Sequence, residues 1–190
     1  MCKVKILIFE KHPMYPNRKT CLKMMEHYDM LPNIKDHSIL VADLSIIIVR
    51  ELNKNGSELD LDLIEAAALL HDITKTESIK TGENHSESGG KLLRNLGYQR
   101  IAEIVEQHVL PDKIEGNVSE EEVVCYADKR ILHDKIVSLD ERFEYLLERY
   151  GKNKKSVGFV NETRLKLLII EKRIIENSTF SEFDINNIIV

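Results

Sequence analysis

The sequence has no tryptophan and only three cysteines, four prolines and eight glycines among its 190 residues. The cysteines, Cys2, Cys21 and Cys125, are widely spaced and form no Cys-x-x-Cys pair, which argues against a disulfide framework and a zinc ribbon. The scarcity of glycine and proline goes together with long stretches in which apolar residues recur at helical spacing. This combination predicts an all-α fold.

Long apolar runs are also absent. The stretch Leu44 to Val49 is interrupted by Ser45 and is far too short to cross a bilayer. Lys3 and Lys5 interrupt the partly apolar start of the chain and no small-residue cleavage site follows, so we expect a cytoplasmic protein with neither a signal peptide nor a membrane partner. The net charge of −5 provides no broad basic surface, which argues against a nucleic-acid partner.

The pattern predicts a single structural domain in three parts. Residues 1–32 contain a leader, compatible with a short extended segment at Val4 to Phe9, and a first helix that packs on the core. Residues 33–150 form the core, and residues 151–190 contain a C-terminal helix and a weakly structured tail. The predicted core helices are 34–53, 63–70, 85–96, 99–110, one that contains Asp128 and begins at a Ser119 and Glu122 capping box, and one that begins at a Ser138 and Glu141 capping box.

The last predicted helix, from about Ser156 to Glu176, has an apolar face that includes Leu165, Leu168 and Ile169. This face could close the core of the domain, or it could pair with a second subunit in a homodimer. The pattern leaves both roles open.

Four histidines and two aspartates occupy segments that are otherwise apolar: His37, His71, Asp72, His85, His108 and Asp128. A single histidine on an apolar helix face usually hydrogen-bonds a backbone carbonyl in the core. An unpaired buried carboxylate costs several kcal/mol, and buried charges are normally paired or bound to a metal. Because the six residues come from several separate segments, a shared metal site accounts for them more simply than independent accidents do.

The adjacent pair His71 and Asp72 follows an apolar helix, for which either Asp60 or Asp62 supplies the N-cap. Neighbouring residues on a helix point about 100° apart, so two neighbours can bind one ion only where the backbone leaves regular helix. A helix end provides that freedom. Imidazole and carboxylate ligands suit divalent Fe, Mn, Co, Ni or Zn, and the lack of an inward cysteine argues against a structural zinc site.

Four of these residues, in their order along the chain, resemble the metal ligands of the HD-domain superfamily of metal-dependent phosphohydrolases: His37, His71, Asp72 and Asp128. The His-Asp-Ile-Thr-Lys stretch that begins with the doublet resembles the HDIG-type motif, with Thr74 in place of the usual glycine. The resemblance covers about residues 33–150 and implies an HD-domain helical bundle.

The resemblance also implies a ligand set for one or two divalent metal ions. The four residues above hold one ion, and in a subset of the family two further histidines hold a second ion, with Asp72 bridging. His85 and His108 match that subset. His85 also begins a His-x-x-x-Gly element, in which small residues such as Gly89 would let the backbone approach the metals. The alternative for His85 is an exposed position on a polar loop that extends from Thr74 to Asn84.

The activity implied by the resemblance is hydrolysis of a phosphoester or phosphoanhydride in a nucleotide or another small phosphorylated metabolite. Asp72 would orient the metal-activated water, and Lys75 would contact a substrate phosphate unless it is a solvated loop residue. Lys129 and Arg130 are candidates for further phosphate contacts, although salt bridges to the Asp134 or Glu141 region are favoured for them.

Two alternatives bear on this interpretation. A second doublet, His133 and Asp134, is interpreted as a solvated pair without a catalytic role, because Lys129 and Arg130 lie one turn earlier. A function of a different class also stays open, namely a non-catalytic regulator that binds metal or nucleotide on the same fold. No aromatic platform for a nucleotide base is evident in the sequence.

Overall fold

Residues 14–180, which the computed structural model describes, fold into helices and one short β-hairpin, so the predicted all-α class is confirmed. The extended segment predicted at Val4 to Phe9 lies outside the described residues. The helices are α1 (Arg18–His27), α2 (Pro32–Lys54), α3 (Leu61–Leu70), α4 (Lys75–Thr81), α5 (His85–Asn95), α6 (Gln99–Gln107), α7 (Glu120–Arg130), α8 (Leu139–Tyr150) and α9 (Lys154–Glu176). The strands β1 (Ile131–Leu132) and β2 (Lys135–Ile136) pair antiparallel between α7 and α8.

Side-chain caps begin several of the helices where the sequence predicts them. At α7 the Ser119 side chain accepts from the backbone N–H of Glu122, and the Glu122 carboxylate accepts from that of Ser119. At α8 the Ser138 hydroxyl accepts from the backbone N–H of Glu141, which is one half of the predicted box. At α3 the cap is Asp60, one of the two predicted candidates. Each cap satisfies backbone N–H groups that the first helical turn leaves unpaired.

The prediction of a polar loop over 74–84 is wrong, because this stretch contains the short helix α4. Thr74 stands at its N-cap position and Glu77 lies in its first turn, where a carboxylate interacts favourably with the helix dipole. Gly82 ends the helix with a left-handed φ of 78°, which glycine adopts without steric cost. As a consequence Lys75 is the first residue of a helix and not a residue of an open loop.

Helix α3 lies at the centre of the helical packing. It is buried from Leu63 to Leu70 on nearly all sides, and it packs against α1, α2, α6 and α7. A helix that is apolar all round is stable only when other elements surround it. Its C-terminal end therefore lies in the interior, where His71 and Asp72 are 0% and 1% exposed.

Helix α9 covers α7 and α8 with a buried face: Val160, Thr163, Leu167, Ile170 and Ile174. The side chains of Leu165, Leu168 and Ile169 point outward and are 64%, 39% and 52% exposed. The face of α9 that closes the core is therefore not the face of Leu165, Leu168 and Ile169. Pairing of that exposed face with a second subunit stays a prediction. No helix within residues 14–180 combines the length and apolar character that a bilayer-spanning segment needs.

Helices α5 and α6 approach each other closely at Gly89. A Cβ atom at this position would lie 3.2 Å from Cγ1 of Val105 and 3.4 Å from Oγ1 of Thr74. The small residue therefore makes room for α6 and for the Thr74 side chain, whereas the sequence had suggested that it makes room for metals. The same packing brings the first residue of α5 toward the last turn of α6.

We expect Gly89→Ala and Gly158→Ala to affect thermal stability differently. Gly158 lies in α9 with open space where a Cβ would stand, so alanine should stabilise the helix by about 0.5–1 kcal/mol, or about 1–4 °C in Tm. Alanine at position 89 should lose this gain, because it forces α5 and α6 apart. Thermal unfolding of the two variants provides the measurement, and an equal rise in both Tm values would contradict the close packing.

Candidate metal centre

The six polar residues singled out in the sequence converge on one site in the interior. They come from five different elements of the fold, and three of those elements contribute at a terminus. The positions are the second turn of α2 (His37), the end of α3 (His71 and Asp72), the first residue of α5 (His85), the end of α6 (His108) and the last turn of α7 (Asp128).

One group of donor atoms consists of His37, His71 and Asp128, whose ligand atoms all lie within 4.8 Å of one another. Nε2 of His37 lies 2.9 Å from Oδ1 of Asp128, and Nε2 of His71 lies 3.7 Å from the same oxygen. Two imidazole nitrogens thus face one carboxylate oxygen. Such a set of nitrogen and oxygen donors suits divalent transition metals.

A second group consists of His71, Asp72 and His108, again with ligand atoms within 4.8 Å of one another. Oδ2 of Asp72 lies 3.4 Å from Nε2 of His71, and Oδ1 lies 3.3 Å and 3.8 Å from the Nε2 atoms of His85 and His108. The two oxygens of Asp72 therefore face opposite halves of the site. His71 belongs to both groups.

The ends of α3 and α6 orient two of the imidazole rings in the same way. Each helix ends at a histidine whose Nδ1 lies close to the carbonyl oxygen three residues earlier: 2.7 Å from His71 to Ala68 and 2.6 Å from His108 to Val105. These carbonyls lack helical partners because the helix ends there. The hydrogen-bond network therefore assigns the donor proton to Nδ1 and directs Nε2 into the site, an arrangement common in metal-binding histidines.

Two atoms of the site show that a cation fits it. Nε2 of His71 and Oδ1 of Asp72 are fully buried, and neither has a hydrogen-bond partner within the described residues. A buried polar atom left unsatisfied costs about 1–3 kcal/mol, and a coordinated cation would satisfy both atoms. Cys125 on α7 belongs to neither donor group, and its buried thiol lies instead against the carbonyl of Val109 at 3.6 Å.

The electrostatics of the site favour ionised carboxylates. Burial alone would raise the pKa of Asp72, but His71 and Lys75 outweigh it and hold that pKa well below its ordinary value. Burial lowers the pKa of His108 to about 3, so this imidazole is neutral and free to donate a lone pair. The pKa of His71 is raised, because Asp72 and Asp128 more than offset its burial. A proton and a cation therefore compete for Nε2 of His71, and metal binding should weaken as pH falls.

Two lysines pair with the two carboxylates. Nζ of Lys75 lies 2.7 Å from Oδ2 of Asp72, and the Lys75 side chain is 38% exposed, so it belongs both to the site and to its opening. Nζ of Lys129 lies 2.5 Å from Oδ2 of Asp128 and donates to the carbonyl of His108 at 3.4 Å. Since the Lys129 side chain is only 9% exposed, it supports the site from behind. Within the described residues Lys129 forms no ion pair with the Asp134 or Glu141 region, and its phosphate contact stays a prediction.

Arg130 has a structural position on α7, and its phosphate contact stays a prediction. It is 1% exposed and lies on the opposite side of α7, where it donates to the carbonyl of Val137 at 2.6 Å and bonds the Tyr126 hydroxyl. Its guanidinium also lies 3.4 Å from the carboxylate of Glu171 on α9. Arg130 follows Asp128 by two residues, which is a rotation of about 200° around the helix, so the two side chains point to nearly opposite sides of α7.

Thr74, which replaces the glycine of the HDIG-type motif, connects the doublet to α5. Its hydroxyl donates to the carbonyl of His85 at 2.9 Å and lies 2.8 Å from the hydroxyl of Ser88. This holds the first turn of α5 next to the end of α3. The sequence marked Thr74 as a departure from the motif but did not indicate that it positions His85.

A cleft of about 440 Å³ opens beside the site, lined on one side by His37, Asp72 and Lys75. Its other side is formed by the cleft-facing residues of α8 and the β1–β2 turn: His133, Asp134, Arg142, Tyr145, Leu146, Arg149 and Tyr150. The sequence analysis did not identify these α8 residues, and it found no aromatic side chains that could bind a nucleotide base. Their spacing of three, four, seven and eight residues from Arg142 was a usable signal, since it places them on one helix face. The second doublet, His133 and Asp134, lies in the turn and outside the histidine cluster.

Comparison with known proteins supports the family and the fold. The model of the HD domain family matches residues 34–137, a range that contains all six clustered side chains. A solved structure of similar fold belongs to a predicted HD superfamily hydrolase from an uncultured Thermotogales bacterium, with a TM-score of 0.50 and 18% identity over 85% of this chain and 93% of that one. At this identity the likeness concerns the fold alone.

Three relatives are similar in sequence. An uncharacterized protein of Methanocaldococcus jannaschii is 29% identical over 66% of this chain and 82% of its own length. The tRNA (cytidine(56)-2'-O)-methyltransferase of Thermoplasma volcanium is 28% identical over 70% of this chain and 41% of its own, and the Ribonuclease Y of Pseudothermotoga lettingae is 32% identical over 49% and 16%. This chain thus spans less than half of either of the latter two proteins.

We expect the metal content of three variants to follow the two donor groups. After loading with Mn²⁺ or Co²⁺ and dialysis, His71→Ala should lose at least the ion shared with His37 and Asp128, because its Nε2 is one of the donors of that group. His85→Ala should lose one of two equivalents. The control His27→Ala, at a half-buried histidine on α1 outside the cluster, should bind as the wild type does. Elemental analysis measures the content, and a Tm that rises with metal reports binding independently.

Two results would contradict this assignment. Full metal content in His71→Ala would mean that the ions bind elsewhere, and an unchanged content in His85→Ala would mean that the site holds one ion. Unfolding curves of the metal-free variants show whether a loss of metal reflects a loss of structure.

Proposed function

The chain belongs to the HD domain family, and on that premise we propose that it is a metal-dependent phosphohydrolase. The reaction is cleavage of a phosphoester or phosphoanhydride in a nucleotide-like substrate by metal-activated water. The observation that carries the proposal is the buried cluster of donor groups sharing His71, placed beside an open cleft that cationic side chains line.

In this proposal the distances between donor atoms suggest how the ligands are divided between two ions. His37, His71, Asp72 and Asp128 would hold one divalent ion, and His85 and His108 would hold a second one together with Asp72. When bound, such ions supply the activated water and offset the negative charge that develops on phosphoryl oxygens. The donor set accepts Fe, Mn, Co, Ni or Zn and does not select among them.

Asp72 and Lys75 have complementary roles at the opening of the site. The ion pair with Lys75 fixes Oδ2 of Asp72, while Oδ1 points toward His85 and His108, so that the carboxylate can orient the attacking water. Lys75 lines the cleft and is partly exposed, so its ammonium can donate to a phosphate oxygen of the substrate. Lys129 holds Asp128 from behind and leaves the cleft free.

The size and charge of the cleft support a small anionic substrate. A volume of about 440 Å³ lies in the range of roughly 300–1,000 Å³ that is usual for small-molecule sites. One relative is named Ribonuclease Y and another is named as a tRNA methyltransferase, so short oligoribonucleotides belong in the substrate panel. The net charge of −5 argues against duplex nucleic acid.

Activity assays on the metal-loaded protein test the proposal directly. Wild-type protein with Mn²⁺, Co²⁺ or Fe²⁺ should release phosphate or shortened products from a panel of mononucleotides, dinucleoside polyphosphates and short oligoribonucleotides. Asp72→Ala and His71→Ala should show no turnover. If the wild type binds metal and nucleotide but hydrolyses none of these compounds, the protein is a non-catalytic regulator and the proposed activity is refuted.

Lys75→Ala should lower kcat/KM by about 10- to 100-fold, because a charge-assisted hydrogen bond to phosphate contributes about 1.5–3 kcal/mol. Lys80→Ala is the matched control, since Lys80 lies on the same helix, is 65% exposed and does not line the cleft. This control should stay within about twofold of the wild type. Steady-state kinetics on the best substrate give kcat/KM for both variants. Equal effects of the two substitutions would refute a phosphate contact by Lys75.

A further inference from the structure

We propose that the cleft-facing side of α8 and the adjoining hairpin turn form a nucleotide-recognition face, defined as Arg142, Tyr145, Arg149 and His133. Arg142 binds the phosphate of the substrate opposite Lys75, and the rings of Tyr145 and His133 bind its base. This inference rests on the proposed function, since it assigns the part of the substrate that does not react.

The recognition face and the metal ligands share one cleft. His37, Asp72 and Lys75 line it on one side, and Arg142 and Tyr145 line it on the other. A phosphate near Lys75 therefore leaves the remainder of a substrate between α4 and α8. Arg142 and Lys75 line the same cleft, so an anion between them would interact favourably with both positive charges.

The arginines of this face lack acidic partners. No carboxylate within residues 14–180 forms an ion pair with Arg142 or Arg149, and Nε of Arg142 is buried without a hydrogen-bond partner there. Most other arginines of the same part of the chain pair with a carboxylate: Arg18, Arg94, Arg100, Arg130, Arg164 and Arg173. In a chain with 32 acidic and 27 basic residues, two unpaired arginines in one cleft indicate an anionic ligand.

The aromatic part of the face is a corner between two rings. The centroids of His133 and Tyr145 lie 5.5 Å apart, and their planes meet at 80°. The Tyr145 hydroxyl accepts a hydrogen bond from Arg149, which fixes the ring at the wall of the cleft. A flat base can stack on one ring and meet the edge of the other, an arrangement that aromatic pairs favour.

The backbone at His133 supports a role in binding. His133 has a φ of 58°, a left-handed conformation that favours glycine and that costs a histidine on the order of 1 kcal/mol. The residue occupies the two-residue turn between β1 and β2, where a glycine would be unstrained. A strained histidine directed at Tyr145 contributes nothing to the core, since it is exposed. Its ring is therefore better explained by a ligand in the cleft.

The first test compares a nucleoside 5′-monophosphate with ribose 5-phosphate, which has the same phosphoester but no base. In the metal-loaded wild type, kcat/KM should be higher for the nucleotide. Tyr145→Leu should lower that value about tenfold and leave ribose 5-phosphate within about twofold, because stacking on one aromatic residue contributes about 1–3 kcal/mol. Arg142→Gln should lower both about tenfold. The controls are Glu148→Gln, exposed on α8 outside the cleft, and Arg50→Gln, an exposed arginine on α2, and both should match the wild type.

Equilibrium binding separates this inference from the proposed activity. Calorimetric Kd values for nucleoside monophosphates should rise about tenfold in Tyr145→Leu and Arg142→Gln, whether or not the protein turns them over. If the wild type binds nucleotide but hydrolyses nothing, the activity fails and the recognition face stands. If Tyr145→Leu affects both substrates equally or neither, or if the wild type binds no nucleotide, the recognition face is refuted.

His133→Gly gives a readout that a purely structural role would not produce. Glycine relieves the positive φ, so Tm should stay equal or rise, while the Kd for nucleotide should increase severalfold through loss of the ring. A variant with unchanged Kd would remove His133 from the proposed face.

Discussion

The burial of two carboxylates inside a helical core is the constraint on which the rest of this structure depends. Asp72 and Asp128 are 1% and 5% exposed, and a buried charge is tolerated only when other groups compensate for it. The fold meets this demand with one lysine for each carboxylate and four imidazoles between them. Within residues 14–180 two buried donor atoms still lack hydrogen-bond partners, and a bound cation would satisfy both of them.

Helix ends convert this constraint into a defined geometry. Because α3 and α6 stop where they do, their last carbonyls are available to hold His71 and His108 by Nδ1, and both Nε2 atoms point inward. The first turn of α5 is held by Thr74, which adds His85 closer to the surface of the site. Three helix termini, the ends of α3 and α6 and the start of α5, thus position four of the six side chains, and the packing of the helices around α3 keeps those termini together.

Much of this arrangement was open to prediction from sequence, because it depends on local rules. The all-α class, the Ser119 capping box and the convergence of six polar residues from apolar segments follow from periodicity, capping and the cost of buried charge. The positions of Lys129 and Arg130 were not predictable. These neighbours on α7 point in different directions, so that Lys129 reaches the site and Arg130 reaches the interface with α9. The stripe on α8 was visible as a pattern, but only tertiary packing shows which element it faces.

The two walls of the cleft, one formed by the donor residues and one by α8, differ in how substitutions would affect the protein. The ligand wall is buried, and each of its side chains has neighbours that depend on its identity, so substitutions there alter stability and metal binding together. The α8 wall is partly exposed, carries no metal ligand and contributes few side chains to the core apart from Leu139 and Phe143. Substitutions on α8 and the hairpin turn can therefore alter the cleft without disturbing the buried donor groups, whereas substitutions on the ligand wall cannot.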